Sequence, residues 1–249
     1  LIGEKEVTLR NIIRNPYLWM FIGFLLSYLV LGKWVGYLLF YLGVSLHGQT
    51  YNSYSQFRAN EETLLIYLSF IINILRFVVI LVIVYKTKWF THRKLILKKK
   101  DFRYAIYAFF IKAFISIILG ILSSIPKIGV YFNSGSPNQD KVEHLIQNYI
   151  WVGILFSVII APLTEEFIFR KLLIGELFKD KEYSGLIVSS VLFGSLHLMA
   201  GFTLPGLILY ISLGFILGWL YIRNKRIETS IIAHMFNNFI GTVAVIFKP

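Results

Sequence analysis

The chain has 249 residues, 57% of them in the hydrophobic set, and a mean hydropathy of +0.68, which excludes an ordinary soluble domain. It contains no cysteine, so disulfides, thiolate metal sites and a cysteine nucleophile are excluded as well. Its formal charge of +12 comes from basic residues gathered in short connections between apolar runs, the pattern of cytoplasmic loops, so no nucleic-acid partner is expected.

No porin-like alternation appears, and the apolar runs read as an all-α polytopic transmembrane bundle. Leu1 to Arg10 is mixed in charge and lacks a signal-peptide layout, so the first apolar run is expected to be retained as a helix. Asn15-Pro16 opens that run, which extends to about Val44 and is long enough to tilt or break. Ser45 to Asn60 reads as a polar, aromatic loop, and Glu61-Glu62 opens a second helix from about Thr63 to Tyr85, interrupted by Asn73 and Arg76. Both are expected to face other helices as polar glue.

Lys86, Lys88, Arg93, Lys94, Lys98, Lys99, Lys100 and Arg103 then stand against a single Asp101, which places this loop in the cytoplasm. A third helix from about Tyr104 to Ile125, with Lys112 inside it, ends before Pro126. Lys127 to Asn148 reads as an outer loop. Further helices follow over about Tyr149 to Leu173, Ser184 to Ala200, Gly206 to Ile222, and from a Thr229-Ser230 cap to Phe247. Counting from the basic loop gives about seven helices, six to eight if the long first run divides, in one membrane domain over 1–249 with the N-terminus cytoplasmic.

The stretch Ala161 to Arg170, A-P-L-T-E-E-F-I-F-R, sets two adjacent carboxylates in an apolar span, and an unpaired charge there costs several kcal/mol. In a helix Glu166 and Arg170 share a face and can pair, while Glu165 points about 100° away. A carboxylate held apart from an ion pair where water is scarce is a candidate general base. At 1.5 Å per residue, Glu165 lies about 15 Å from the cytoplasmic end of its helix, His197 about 20 Å and His234 about 10 Å, with Asn238 one turn farther. Phe193 shares a face with His197, as His234 does with Asn238.

That set suggests hydrolysis: Glu165 activates water, a histidine shares the proton, and His234 and the Asn238 amide meet an oxyanion. A metal centre is the competing account, with Glu165, His197 and His234 as zinc ligands, although H-E-x-x-H is absent. The same polar groups would also serve a non-catalytic membrane binding protein as bracing. A proton-coupled transporter is a third class, without the duplicated halves that would support it.

Glu165-Glu166-x-x-x-Arg170, Phe193-x-x-x-His197 and His234-x-x-x-Asn238, in this order between about Tyr149 and Phe247, resemble the three motifs of the CPBP family. That family comprises CAAX prenyl endopeptidases of the Rce1 type and bacterial abortive-infection or bacteriocin-immunity proteins. The resemblance implies an intramembrane endopeptidase of the bacterial cell membrane, with residues 149–247 as catalytic core and a membrane-associated peptide or protein as substrate. It implies Glu165 as base without a cofactor, His197 as its partner, His234 and Asn238 at the oxyanion, and Glu166, Arg170 and Phe193 in support.

Overall fold

A computed structural model describes residues 14–87, 97–133 and 135–248. The opening segment 1–13 and the loop residues Lys88, Arg93 and Lys94 lie outside the described residues. Among the described residues, seven helices are long and apolar enough to cross a bilayer. The chain divides into two compact units, residues 1–78 and 79–249.

The first unit holds α1 (Pro16–Tyr41), α2 (Tyr54–Asn60) and most of α3 (Glu62–Thr87). Asn15 caps α1 by accepting from the Tyr17 amide, and Pro16 takes the first helical position, where its missing N–H costs nothing. The helix widens to a π-helical turn over Ser27–Leu31 but runs on without a break. At that turn Arg76 of α3 donates to the Ser27 hydroxyl at 3.0 Å and to the Ser27 carbonyl, with Asn73 accepting at 2.8 Å. The expected loop 45–60 contains the short α2, capped by Ser53, and folds over Glu61. Burial alone would raise the Glu61 carboxyl, but hydrogen bonds from Ser45, Tyr51 and the Leu46 amide hold it down at about 2.

The second unit contains α4 (Lys99–Ser123), α5 (Pro137–Asn148), α6 (Ile150–Leu177), α7 (Glu182–His197), α8 (Leu204–Asn224) and α9 (Ile227–Ile246). α4 packs along α9, and buried Asp101 accepts from the Thr229 hydroxyl at 2.7 Å and from Arg226 at 3.0 Å. Thr229 and Ser230 therefore do not cap α9 as expected: Arg226 holds the cap position, and both hydroxyls are buried in the first turn. The segment expected to be an outer loop also differs, because Ser136 accepts from the Gln139 amide and Pro137 starts α5. The Asn, Ser and Gly residues before it had masked that start.

α6 is the most enclosed span, with 56% of its apolar window buried against 11% for α1. Its polar residues consequently face protein rather than lipid. The helix is π-helical over Leu155–Ile160, and the Ala161 amide reaches back to the Phe156 carbonyl. In that five-residue frame the next donor would be Pro162, which has no N–H, so the Ser157 carbonyl is orphaned within its own helix. A second π-helical stretch runs over Phe167–Leu177, where the Phe169 carbonyl accepts from Ser189 of α7 at 3.1 Å.

α7 and α8 pair most extensively, and glycines make their approach possible. A Cβ on Gly214 would stand 3.0 Å from the Ser190 Cα, and one on Gly218 would stand 2.5 Å from a Leu186 methyl. This close seam leaves the Gly214 carbonyl facing α6.

Candidate active site

Three helices carry the candidate residues, and a fourth adds a backbone carbonyl. Glu165 and Glu166 lie on α6 just before its second widening, His197 ends α7, and His234 and Asn238 lie one turn apart on α9. α8 contributes the Gly214 carbonyl.

Glu166 and Arg170 are completely buried, with Oε2 and Nε 3.1 Å apart. The other carboxylate oxygen, Oε1, lies 2.9 Å from His234 Nδ1. Glu166 thus serves both Arg170 and His234, whereas its spacing alone had indicated only the first. Arg170 also donates from Nη2 to the Gly214 carbonyl at 3.2 Å and lies over the Phe193 ring, 4.9 Å from its centroid. A guanidinium enclosed at this depth needs a carboxylate partner, because an isolated buried ion costs several kcal/mol.

The Glu165 carboxylate has a different environment. Its Oε2 lies 4.0 Å from His197 Nε2 and 3.8 Å from His234 Nε2, and its side chain is 14% exposed. Both distances exceed a hydrogen bond and suit a shared small molecule between the groups.

The tautomers follow from the partners. His197 Nδ1 faces the Phe193 carbonyl at 2.8 Å, and a carbonyl only accepts, so Nδ1 carries the hydrogen. His234 Nδ1 likewise donates to the Glu166 carboxylate. In their neutral forms both rings turn an Nε2 lone pair toward Glu165.

Fully buried Phe193 joins these groups. Its ring centroid is 4.5 Å from that of His197 and 5.8 Å from that of His234. Asn238 stands on the same face as His234, but its Nδ2 donates at 2.8 Å to the Ser157 carbonyl, the acceptor orphaned before Pro162. Its Oδ1 accepts from Asn237 at 3.0 Å. One amide hydrogen of Asn238 therefore serves the backbone of α6, and the second remains for another acceptor.

A scan against protein-family models matches residues 147–240 to the type II CAAX prenyl endopeptidase Rce1-like family. Residues 147–240 thus resemble this Rce1-like family. The match begins just before α6 and covers every candidate residue of the site. Among curated proteins, YdiL of Bacillus subtilis is 38% identical over 140 residues, covering 55% of this chain and 54% of the relative. The Staphylococcus aureus protein MroQ, named a membrane-embedded CAAX protease, is 31% identical over 117 residues, 46% of this chain and 47% of its own length. YxdF of Lactococcus lactis, a UPF0177 protein, is 36% identical over 88 residues, 35% of this chain and 46% of the relative. The chain spans about half the length of the curated relatives it matches. No solved structure matches it. With seven apolar spans among its described residues, the chain is an integral membrane protein, and the three relatives above are bacterial.

Zinc requires its protein ligands at about 2.0–2.2 Å from one point. Glu165, His197 and His234 have suitable donor atoms, but among the described residues no three His, Cys, Asp or Glu side chains form a group that could hold a metal ion.

Sequence reasoning missed two neighbours of this site. The Ser157 carbonyl was signalled by Pro162, whose missing donor frees an acceptor one turn earlier. Tyr210 of α8, with its ring centroid 4.3 Å from that of His197, had no signal of its own, because one tyrosine in an apolar span looks like any other packed aromatic.

Proposed function

We propose that this protein is an intramembrane endopeptidase that hydrolyses a peptide bond in a membrane-associated peptide or protein. The observation carrying this reading is the Glu165 carboxylate, set between two imidazole Nε2 atoms and outside the Glu166–Arg170 pair. The similarity of residues 147–240 to the Rce1-like family and the likeness to MroQ support the same chemistry. Residues 149–247 form the catalytic core, and the basic loop after α3 sets the N-terminus in the cytoplasm.

Glu165 takes a proton from water as the water oxygen attacks the scissile carbonyl carbon. The carbonyl π electrons move to oxygen, where the second Asn238 N–H donates, joined by His234 when its Nε2 is protonated. His197, held by Phe193, relays the proton from Glu165 to the amide nitrogen. The C–N bond breaks to give a carboxylic acid and an amine.

The test uses the purified chain in lipid nanodiscs, internally quenched peptides ending in a prenylated CAAX sequence or containing an apolar leader, and H₂¹⁸O. The expected result is one fragment whose new carboxylate carries ¹⁸O, lost in His197→Ala. Intact peptides at the level of His197→Ala would contradict it; if they nevertheless remained bound to the protein, the alternative of a non-catalytic binding or immunity protein would take its place.

A further inference from the structure

His197 is the last residue of α7, followed by a single 3-10 turn over Leu198–Ala200, so its backbone is held from one side only. Apart from the Nδ1 bond to Phe193, neighbouring rings define its orientation. One of them is Tyr210, which stacks on the imidazole with an interplanar angle of 23°.

Tyr210 is itself tied down from outside α8. Its hydroxyl oxygen accepts from Asn138 Nδ2 at 3.0 Å and from Ser136 Oγ at 3.3 Å, both at the start of α5. The same end of α5 reaches the segment after His197, where a Cβ on Gly201 would stand 2.9 Å from Pro137. Farther along, the α5 residue Ile146 packs so closely on Gly153 that a Cβ there would come within 2.8 Å of its Cα. Near the end of α9, Lys248 reaches Glu143 of α5 at 2.5 Å. α5 therefore spans from the ends of α7 and α8 to the end of α9, with its first turn fastened to the ring beside His197.

We propose that Tyr210 is a positioning residue for His197: its ring sets the imidazole so that Nε2 faces Glu165, and Ser136 and Asn138 of α5 set the ring. An imidazole that lost this stack could turn away from the Phe193 carbonyl, freeing Nδ1 from the bond that fixes its hydrogen, and a ring flip would set Cε1 in place of Nε2 toward Glu165. The effect on turnover rests on the peptidase reading above; the effect on the imidazole does not.

The experiment therefore reads the imidazole directly. Protein ¹⁵N-labelled at histidine is examined in lipid by solid-state NMR, with the His197 signals identified by their loss in His197→Ala. The wild-type chain is expected to show one tautomer, with hydrogen on Nδ1. Tyr210→Leu is expected to mix the tautomers and to lower kcat about 10- to 100-fold while KM stays within about twofold. Tyr210→Phe removes both hydrogen bonds to the hydroxyl and keeps the ring, so it is expected to show a smaller admixture; Asn138→Ala, which removes one of them and leaves the Ser136 cap of α5 in place, is expected to show a smaller one still. If Tyr210→Leu does not fold, Tyr210→Phe carries the test. A wild-type tautomer pattern in the folded variants would overturn the proposal. If the spectra change as expected but no peptide is cut by any form, the peptidase reading fails and the role of Tyr210 stands.

Discussion

Glu166→Ala is expected to damage the fold before it damages the chemistry. The substitution leaves Arg170 buried, with the Gly214 carbonyl and aromatic rings around it but no carboxylate at Nε. Removing one partner of a buried ion pair costs about 3–5 kcal/mol, equivalent to a melting shift of roughly 10 °C in a chain of this size. Thermal unfolding in nanodiscs, together with the yield of monodisperse protein, would measure it. The double variant Glu166→Ala/Arg170→Met removes both charges and is expected to recover most of that loss. It should not recover turnover, because His234 Nδ1 has still lost its acceptor. A single Glu166→Ala variant that melted like wild type would show that Arg170 does not depend on this carboxylate.

Glu165→Gln is expected to do the opposite. Glutamine matches the shape of glutamate, and the Glu165 side chain is outside the buried ion pair, so melting should stay within about 3 °C, the shift for about 1 kcal/mol in a chain of this size. Turnover should nevertheless fall by about 10²- to 10⁴-fold, because an amide cannot accept the proton of the attacking water at neutral pH. The two adjacent glutamates are thereby separated by one pair of measurements, melting and turnover. Equal losses of stability in both variants would remove that distinction.

How much of this was legible in the sequence depended on the range of each interaction. The Glu166 and Arg170 spacing is local, and four residues on a helix suffice to bring them together. Depth arithmetic reached farther, since bilayer spans run roughly parallel and a residue's distance from a charged loop approximates its level. It set Glu165, His197 and His234 at neighbouring levels on separate helices. It could not foresee that Glu166 would also turn an oxygen to His234, because rotation about α9 is fixed by packing against α4 and by the Asp101 to Thr229 bond.

Other features were hidden for more specific reasons. The widening before Pro162 changes which carbonyl lacks a donor, and only the three-dimensional register shows Asn238 filling it. Helix α5 was obscured by turn-forming residues, although Ser136-Pro137 followed by Asp140 is a helix start in its own right. Tyr210 illustrates the longest range: its two hydrogen bonds come from residues more than seventy positions earlier.

The most direct test of the central claim, that Glu165 activates water without help from a metal, is peptide turnover by EDTA-treated wild-type protein. Glu165→Gln and His197→Ala, prepared in the same nanodiscs, provide the baseline. The expected result is full wild-type turnover after chelation and baseline turnover in both folded variants. Turnover that disappears on chelation and returns with Zn²⁺ would contradict the account and assign Glu165, His197 and His234 to a metal instead.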